Sequence, residues 1–449
     1  MRTVKWSAFL SSLCVTALAL GMIAADARAD VTTERGASIL AFPKVLADGA
    51  NDTIIQITNL SNSMVHARCF YVNAQLTDPN RPENNDPINP NRPQWIETDF
   101  NIWLTKQQPT HWRVSTGRFV NPFDDCFKGN NIDPDDCENA GIDPGAVPPV
   151  PKDFIGELKC VEVDSSDNPI GGNHLKGEAT IKSGDDVAKY NAIGIEGTEL
   201  AGETGNTLRL DQPGGIPDVI GQYNACPNHL ILNHLAEGVT DPVVLMNLRG
   251  GRCAERKNGD ASTEDQQDGS SELTDIPCQS DSDCRKVFGG NEGSRFSYCS
   301  RGPRILTEEG DLALRSATIS DLTLIPCAED FENQIPGEVT VQFRIWNEFE
   351  TRFSTSTTVV CWKNIFLFQI DSPNNPGNSV FSFPVLGTTV ATTVIEPNPE
   401  DGGVIGVLGT LRADRYGEIA RTLVNLHIEG DRFTASDGEV VDEIVLPEP

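Results

Sequence analysis

The stretch TIIQITNLSNSMVHARCFYVN, residues 53–73, decides the fold class. In its second half Val65, Ala67, Cys69 and Tyr71 alternate with His66, Arg68, Phe70 and Val72. A period of two belongs to a β-strand, whose successive side chains point to opposite faces. One set must face a core, and the other solvent or a second layer. A second stretch, VTVQFRIWNEFETRFSTSTTVVCWKN (339–364), follows the same plan of strand, Asn-containing turn, strand, then a cysteine followed by an aromatic. Gln56 and Gln342 hold equivalent places, but Cys69 follows its glutamine by 13 residues and Cys361 by 19. The two stretches read equally as a weak internal repeat or as separate hairpins drawing on a small β vocabulary. Within the second, Val339, Val341, Phe343 and Ile345 alternate with Thr340, Gln342, Arg344 and Trp346, and near the end of the chain Val424, Leu426 and Ile428 alternate with Asn425, His427 and Glu429.

Short strands separated by Asn, Gly, Pro and Asp clusters predict an all-β chain. We expect an antiparallel β-sandwich of immunoglobulin-like type, either one large or two consecutive. It would have long loops and at most one or two short helices. HLILNHLAEG (229–238) is the best helical candidate, closed by Gly238 as a C-terminal cap. GGVIGVLG (402–409) superficially suggests a nucleotide loop, but without a basic residue or strand–helix context it reads as a glycine-rich strand.

The first thirty residues have the three parts of a secretory signal peptide: Arg2 and Lys5, an apolar run from Ala8 to Ala25, and Ala27-Arg28-Ala29 before the expected cleavage. Cys14 lies too early in that run, behind a bulky Leu13, to carry a lipid. The expected organisation is a signal peptide (1–29), an N-terminal β-sandwich region (30–248) with irregular loops at 79–93 and 121–151, a Cys-rich insertion (249–304) and a C-terminal β-sandwich region (305–449). No later segment approaches the ~18 apolar residues of a membrane helix. The mature chain is thus expected to be exported to the periplasm, cell surface or medium, with no transmembrane segment.

The chain of 449 residues has 35 basic and 65 acidic residues. Removing 1–29 takes away Arg2, Lys5, Arg28 and Asp26, leaving 32 against 64 and a formal charge of −32. Such a charge repels phosphate backbones and anionic lipid, so nucleic acid is not an expected partner.

The mature chain keeps eleven cysteines. In an exported protein disulfides are the default chemistry. Cys253, Cys278, Cys284 and Cys299 lie 25, 6 and 15 residues apart, without the paired C-x₂₋₄-C spacing of a zinc site or a C-x-x-C redox motif. They predict two local disulfides, in any of three connectivities, that staple a loop lacking its own core. Cys126 and Cys137 suggest another local bridge. Cys69, Cys160, Cys226, Cys327 and Cys361 remain. Cys69 and Cys361 sit in the apolar register, so a bridge between sheets would resemble that of immunoglobulin domains. Five is odd, which leaves one thiol unpaired or joined to another molecule, and a buried unreactive thiol is the simplest outcome.

G-x-S-x-G, H-E-x-x-H and phosphate-loop motifs are absent from the sequence, and we expect no enzyme, catalytic residue or cofactor. Cys226, His229 and His234 fail to converge on one helical face, so they are not read as metal ligands. DPDD (133–136) and DSSD (164–167) miss the calcium-loop pattern, which leaves only opportunistic calcium in the 124–143 loop. Trp95, Trp103 and Trp112 offer a speculative stacking surface for a glycan, against the ordinary reading of core aromatics.

CQSDSDC (278–284) followed by Cys299 resembles the Cys-x-Ser-Asp-x-Asp-Cys modules of secreted proteins, among them the whey-acidic four-disulfide core. It lacks that core's adjacent cysteine pair, so the inhibitor role of that family does not carry over. More broadly, ASILAFPKV, the 53–74 stretch, FNIWLTKQQPTHWRVSTGR, GELKCVEVDSSDNPIGGNHLKGEATI, KYNAIG, CAEDFENQIPGEVTVQFRIWNEFE and TTVVCW resemble a group of uncharacterised exported bacterial β-sandwich proteins. The likeness covers most of 36–245 and 316–430, with 249–304 as an insertion. It implies export and a sandwich but no activity. Two functions fit: a non-catalytic exported β-protein with a structural, adhesive or surface-assembly role, or a module binding carbohydrate or another extracellular ligand. Partners would be surface components or glycans.

Overall fold

A computed structural model describes residues 31–79, 81, 83, 88–120, 143–184, 186–213, 220–237, 317–413, 419–430, 432 and 441–448, and the backbone of short strands at 127–128, 131–132, 252–256, 271–277 and 297–300. The expected signal peptide, Gly238, Cys126, Cys137, Cys278, Cys284 and the DPDD carboxylates lie outside the described residues.

The described chain is built mostly of antiparallel strands. First come β1 (Val31–Thr32), β2 (Ile39–Ala47), β3 (Asn51–Asn59), β4 (Val65–Asn73), β5 (Ile96–Leu104) and β6 (Pro109–Arg113). After the short pair β7 (Phe127–Lys128) and β8 (Asn131–Ile132) follow β9 (Phe154–Val163), β10 (Leu175–Ser183), β11 (Asp186–Asn191), β12 (Ile193–Ile195), β13 (Thr207–Leu210) and β14 (His229–Leu235). The insertion contributes β15 (Arg252–Arg256), β16 (Ser271–Pro277) and β17 (Ser297–Ser300). The last part holds β18 (Ala317–Pro326), β19 (Glu329–Asp330), β20 (Glu338–Asn347), β21 (Arg352–Val360), β22 (Lys363–Phe366), β23 (Val390–Pro397), β24 (Val404–Ala413), β25 (Ile419–Asn425), β26 (His427–Glu429) and β27 (Asp442–Val445).

The first sheet folds on itself into two layers. β6, β3, β10 and β11 form one; β12, β2, β9, β4 and β5 form the other. β2 and β3 touch through one register pair, Ala47 with Asp52, which is the corner. Between the layers lie Leu40, Phe42, Ile55, Ile57, Tyr71 and Leu158, and Trp112 Nε1 donates to Tyr71 Oη across the core. Gly177 of β10 must lack a side chain, because a Cβ there would sit 2.6 Å from Cζ of Phe42.

A second sandwich faces the first. Its sheets run β22-β18-β24-β25 and β21-β20-β23-β14-β26. β18 and β24 serve two cores at once, as the period of two allows. Leu322, Leu324, Val404 and Leu408 pack with Val341, Phe343 and Ile345, while Ile325, Ile405 and Val407 join the first core. Edge strands β11 and β25 meet through side chains: Asn425 accepts from Asn191 N and donates to Asn191 O, at 3.1 and 2.8 Å.

This stacking resolves the opening strand. Every residue of β2 and β4 is buried, so the alternation at 65–73 has a second layer on its polar side. The 339–345 reading holds, with Val339, Val341, Phe343 and Ile345 inside and Thr340 and Gln342 exposed. Three expectations are corrected. β3 and β4 are not a hairpin, because β2 and β9 lie between them, whereas β20 and β21 pair along their length. Residues 229–235 are strand β14 rather than a helix, with Leu230, Leu232 and His234 buried at alternate positions. Val424 is 52 % exposed while Leu423 is buried, because the chain leaves one sheet at Asn425 and enters the other at His427.

Candidate functional site

The seam where β18 and β19 cover the β2–β9–β4 layer holds buried charged side chains. Lys44 Nζ contacts Asp321 Oδ2, with both side chains at least nine-tenths buried. Burial pulls the Lys44 amine below the usual lysine range, and Asp321 only partly restores it. Lys159 Nζ lies 2.5 Å from Glu329 Oε2 and 3.0 Å from Glu157 Oε2. Burial, then the charge of Glu329, raises the Glu157 carboxyl well above the ordinary range. Trp362 Nε1 closes the seam by donating to Pro43 O at 2.7 Å.

The cysteines follow this layering. Cys69 and Cys160 form a disulfide 91 residues apart in sequence. They are register partners on neighbouring strands β4 and β9, so the bridge lies within one sheet and not between sheets as in an immunoglobulin domain. Cys226 and Cys327 form the second described bridge. Cys361, which we counted among the bridge candidates, is a buried free thiol whose pKa burial pushes well up. In the insertion, the backbones of Cys253 and Cys299 are register partners on β15 and β17.

The cluster of Cys226, Cys327 and Asp442 is the disulfide with a carboxylate beside it. That carboxylate lies 3.4 Å from Arg432 Nε. Asp164 of the DSSD segment accepts from the backbone N–H groups of Ser166 and Asn168, which makes it a turn-former.

The proposed tryptophan platform does not form. Trp95 and Trp112 are 5 % and 2 % exposed, and the Trp103 ring is stacked on His66 at 3.8 Å. Trp346 takes their place as a half-buried surface aromatic, with the Arg344 and Arg352 guanidinium groups 5.9 and 5.8 Å from its ring. It lines a cleft of ≈ 490 Å³ together with Asn233, Leu235, Val390 and Val424. The alternating pattern that placed Trp346 opposite Ile345 was the signal available in sequence.

His234, which lines that cleft, and Glu237, which accepts from Ser320 N and Phe368 N, are both buried and have opposite pH signatures. Burial lowers His234 to about 4 and raises Glu237 to about 8. The His234 contribution is present above its unfolded value and is lost as pH falls toward 4. The Glu237 contribution is present below its unfolded value of 4.5 and is lost as pH rises through about 8. Between pH 6.5 and 8 only the second changes, so stability should fall there by up to about 1.4 kcal/mol per pH unit. Denaturant melts across this window should show a shallower fall for Glu237→Gln. An unchanged slope would remove Glu237 as its source.

Among the described residues, β21 pairs with β20 in unbroken register and forms the edge of its sheet. The other described edges of the two sandwiches are short, covered or charged. β1, β22 and β26 have two, four and three residues, β6 has five and opens on Pro109, β11 and β25 meet each other, and β5 carries Glu97 and Asp99 while Trp103 N donates to Pro144 O. Such devices keep edges from pairing with other chains. β21, RFSTSTTVV, has one charge, no proline and no bulge. Beside it the β20–β21 turn presents Phe349, 76 % exposed. Comparison with family models, curated proteins and solved structures finds no match for this chain.

Proposed function

We propose that the protein is an exported, non-catalytic β-protein with a structural, adhesive or surface-assembly role, and that the β21 edge is its joining surface. The observation that carries this reading is the contrast between β21 and the other edges. An open strand gains a partner through main-chain hydrogen bonds, with side chains on alternate positions adding selectivity. Ser354 and Ser356 are exposed along it, and Phe349 adds an apolar anchor at one end. The test is fractionation of the producing cell with sizing under non-reducing conditions. Wild-type protein should occur in a large or surface-bound assembly, and Ser354→Lys with Ser356→Lys should release it as monomer. Wild-type protein recovered wholly as a free monomer would sink the reading.

A second reading, a carbohydrate- or ligand-binding module, is favoured by the Trp346 cleft. An indole at a cleft mouth can stack on a sugar ring, and the two arginines would hold polar substituents. Saturable protection of tryptophan fluorescence by a glycan, lost in Trp346→Ala, would support it.

A further inference from the structure

We propose that Lys159 and Glu329 become joined by a side-chain amide, formed by condensation inside the folded protein with Glu157 as the proton carrier. Three observations converge on these residues. The first is reach: Nζ lies 2.5 Å from one carboxyl and 3.0 Å from the other. The second is sealing, since the three side chains are between 0 and 2 % exposed. The third is poor satisfaction as an ion cluster. Neither oxygen of Glu157, nor Oε1 of Glu329, has a well-directed hydrogen bond among the described residues. One ammonium cannot neutralise two carboxylates, and a buried uncompensated charge is strongly disfavoured.

A single extra proton makes the cluster neutral, as one ammonium, one carboxylate and one carboxylic acid. Burial pulls the Lys159 ammonium down, and Glu157 and Glu329 more than offset it. The resting proton therefore sits mainly on Nζ. Its transfer to Glu329, with Glu157 holding the extra proton, leaves a free amine facing a carboxylic acid, with all three groups neutral.

From that state Nζ attacks Glu329 Cδ and a C–N bond forms. Glu157 gives a proton to the departing hydroxyl, which leaves as water, and takes one from the new amide nitrogen. Glu157 ends as it began, and the sum is amine plus carboxylic acid giving amide plus water. No oxidant, metal or cofactor enters. Fixed neighbours of this kind reach effective concentrations of about 10⁵–10⁸ M. The burial of the three side chains keeps bulk water from reversing the step. The product replaces an ammonium and a carboxyl by one amide and leaves Glu157 a neutral acid, which removes the charge imbalance. The link would tie β9 to β19, close to the Cys226–Cys327 bridge.

The experiment is intact mass of the purified full chain, reduced and denatured, with its processed N-terminus mapped. Wild-type protein should be lighter than its sequence by one water, and digestion should yield the Lys159 and Glu329 peptides joined. Lys159→Arg and Glu157→Gln should each read full mass. Wild-type protein at full mass, with both peptides free, would overturn the proposal; this measurement needs no variant to fold. A Glu157→Gln chain as fully linked as wild type would overturn the role given to Glu157.

Discussion

Asp321→Ala is expected to destabilise the protein by about 3–5 kcal/mol, the usual cost of removing one partner from a buried ion pair. Lys44 is 2 % exposed and lies between two β layers, where only Asp321 offsets the loss of its hydration. Arg421 adds to the penalty by repelling the ammonium. Space for the carboxylate is built in, because a Cβ on Gly409 would come within 2.2 Å of Asp321 Oδ1. Without Asp321 the amine must shed its proton, so the loss should shrink as pH rises toward the ordinary lysine value of 10.5. Replacing both residues together, Lys44→Met with Asp321→Leu, should be neutral or even stabilising by about 1–4 kcal/mol. Urea titration of the two variants measures the contrast. A single variant within about 0.5 kcal/mol of wild type, the range of ordinary surface substitutions, would show that the pair does not hold the seam.

Loss of the Cys226–Cys327 bridge is the second large effect. Its cysteines are 101 residues apart and the closed loop contains the whole 249–304 insertion. The chain-entropy model gives about 4.7 kcal/mol for a loop near 100 residues, and removal of native bridges typically costs about 2–5 kcal/mol. Cys226→Ala with Cys327→Ala should therefore lower the denaturation midpoint strongly. Both cysteines are at most 1 % exposed, so reductant should act on this bridge only as the protein opens. A variant as stable as wild type would assign the cohesion of the two sandwiches to the seam alone.

What sequence could say depended on whether the partner of each strand was local. For β20 the alternation sufficed, because one face meets its own sandwich core and the other meets solvent. For β4 the polar set was undecidable. His66 is buried because it meets the Asp164 carbonyl and the Asn101 amide oxygen, and Arg68 because it reaches Pro447 O, 379 residues away. Residues 229–235 carried a legible period of two, but Gly238 and the leucine spacing imitated a helix end. The buried lysine clusters were the least legible. A lysine between apolar neighbours reads as a surface position unless the covering layer is known, and here that layer comes from 160 or more residues later. Trp95, Trp103 and Trp112 could be recognised as aromatics near a sheet, but not Trp95 and Trp112 as buried or Trp103 as stacked on His66.

The last strand has a consequence for how the molecule comes into being. β27 pairs antiparallel with β13 and parallel with β19, and Leu446 N donates to Asn206 O. A growing chain therefore cannot complete the β13–β27–β19 sheet until residues 442–446 have emerged. Until then Arg68, on the outer side of β4, lacks the Pro447 carbonyl that it meets in the folded chain. Long-range closure of this kind is slow and leaves strands vulnerable to wrong partners. A chain stopped before Asp442 would keep most of its strands yet lack the clasp between its earliest and latest segments, so quality control would meet it as an unfinished protein.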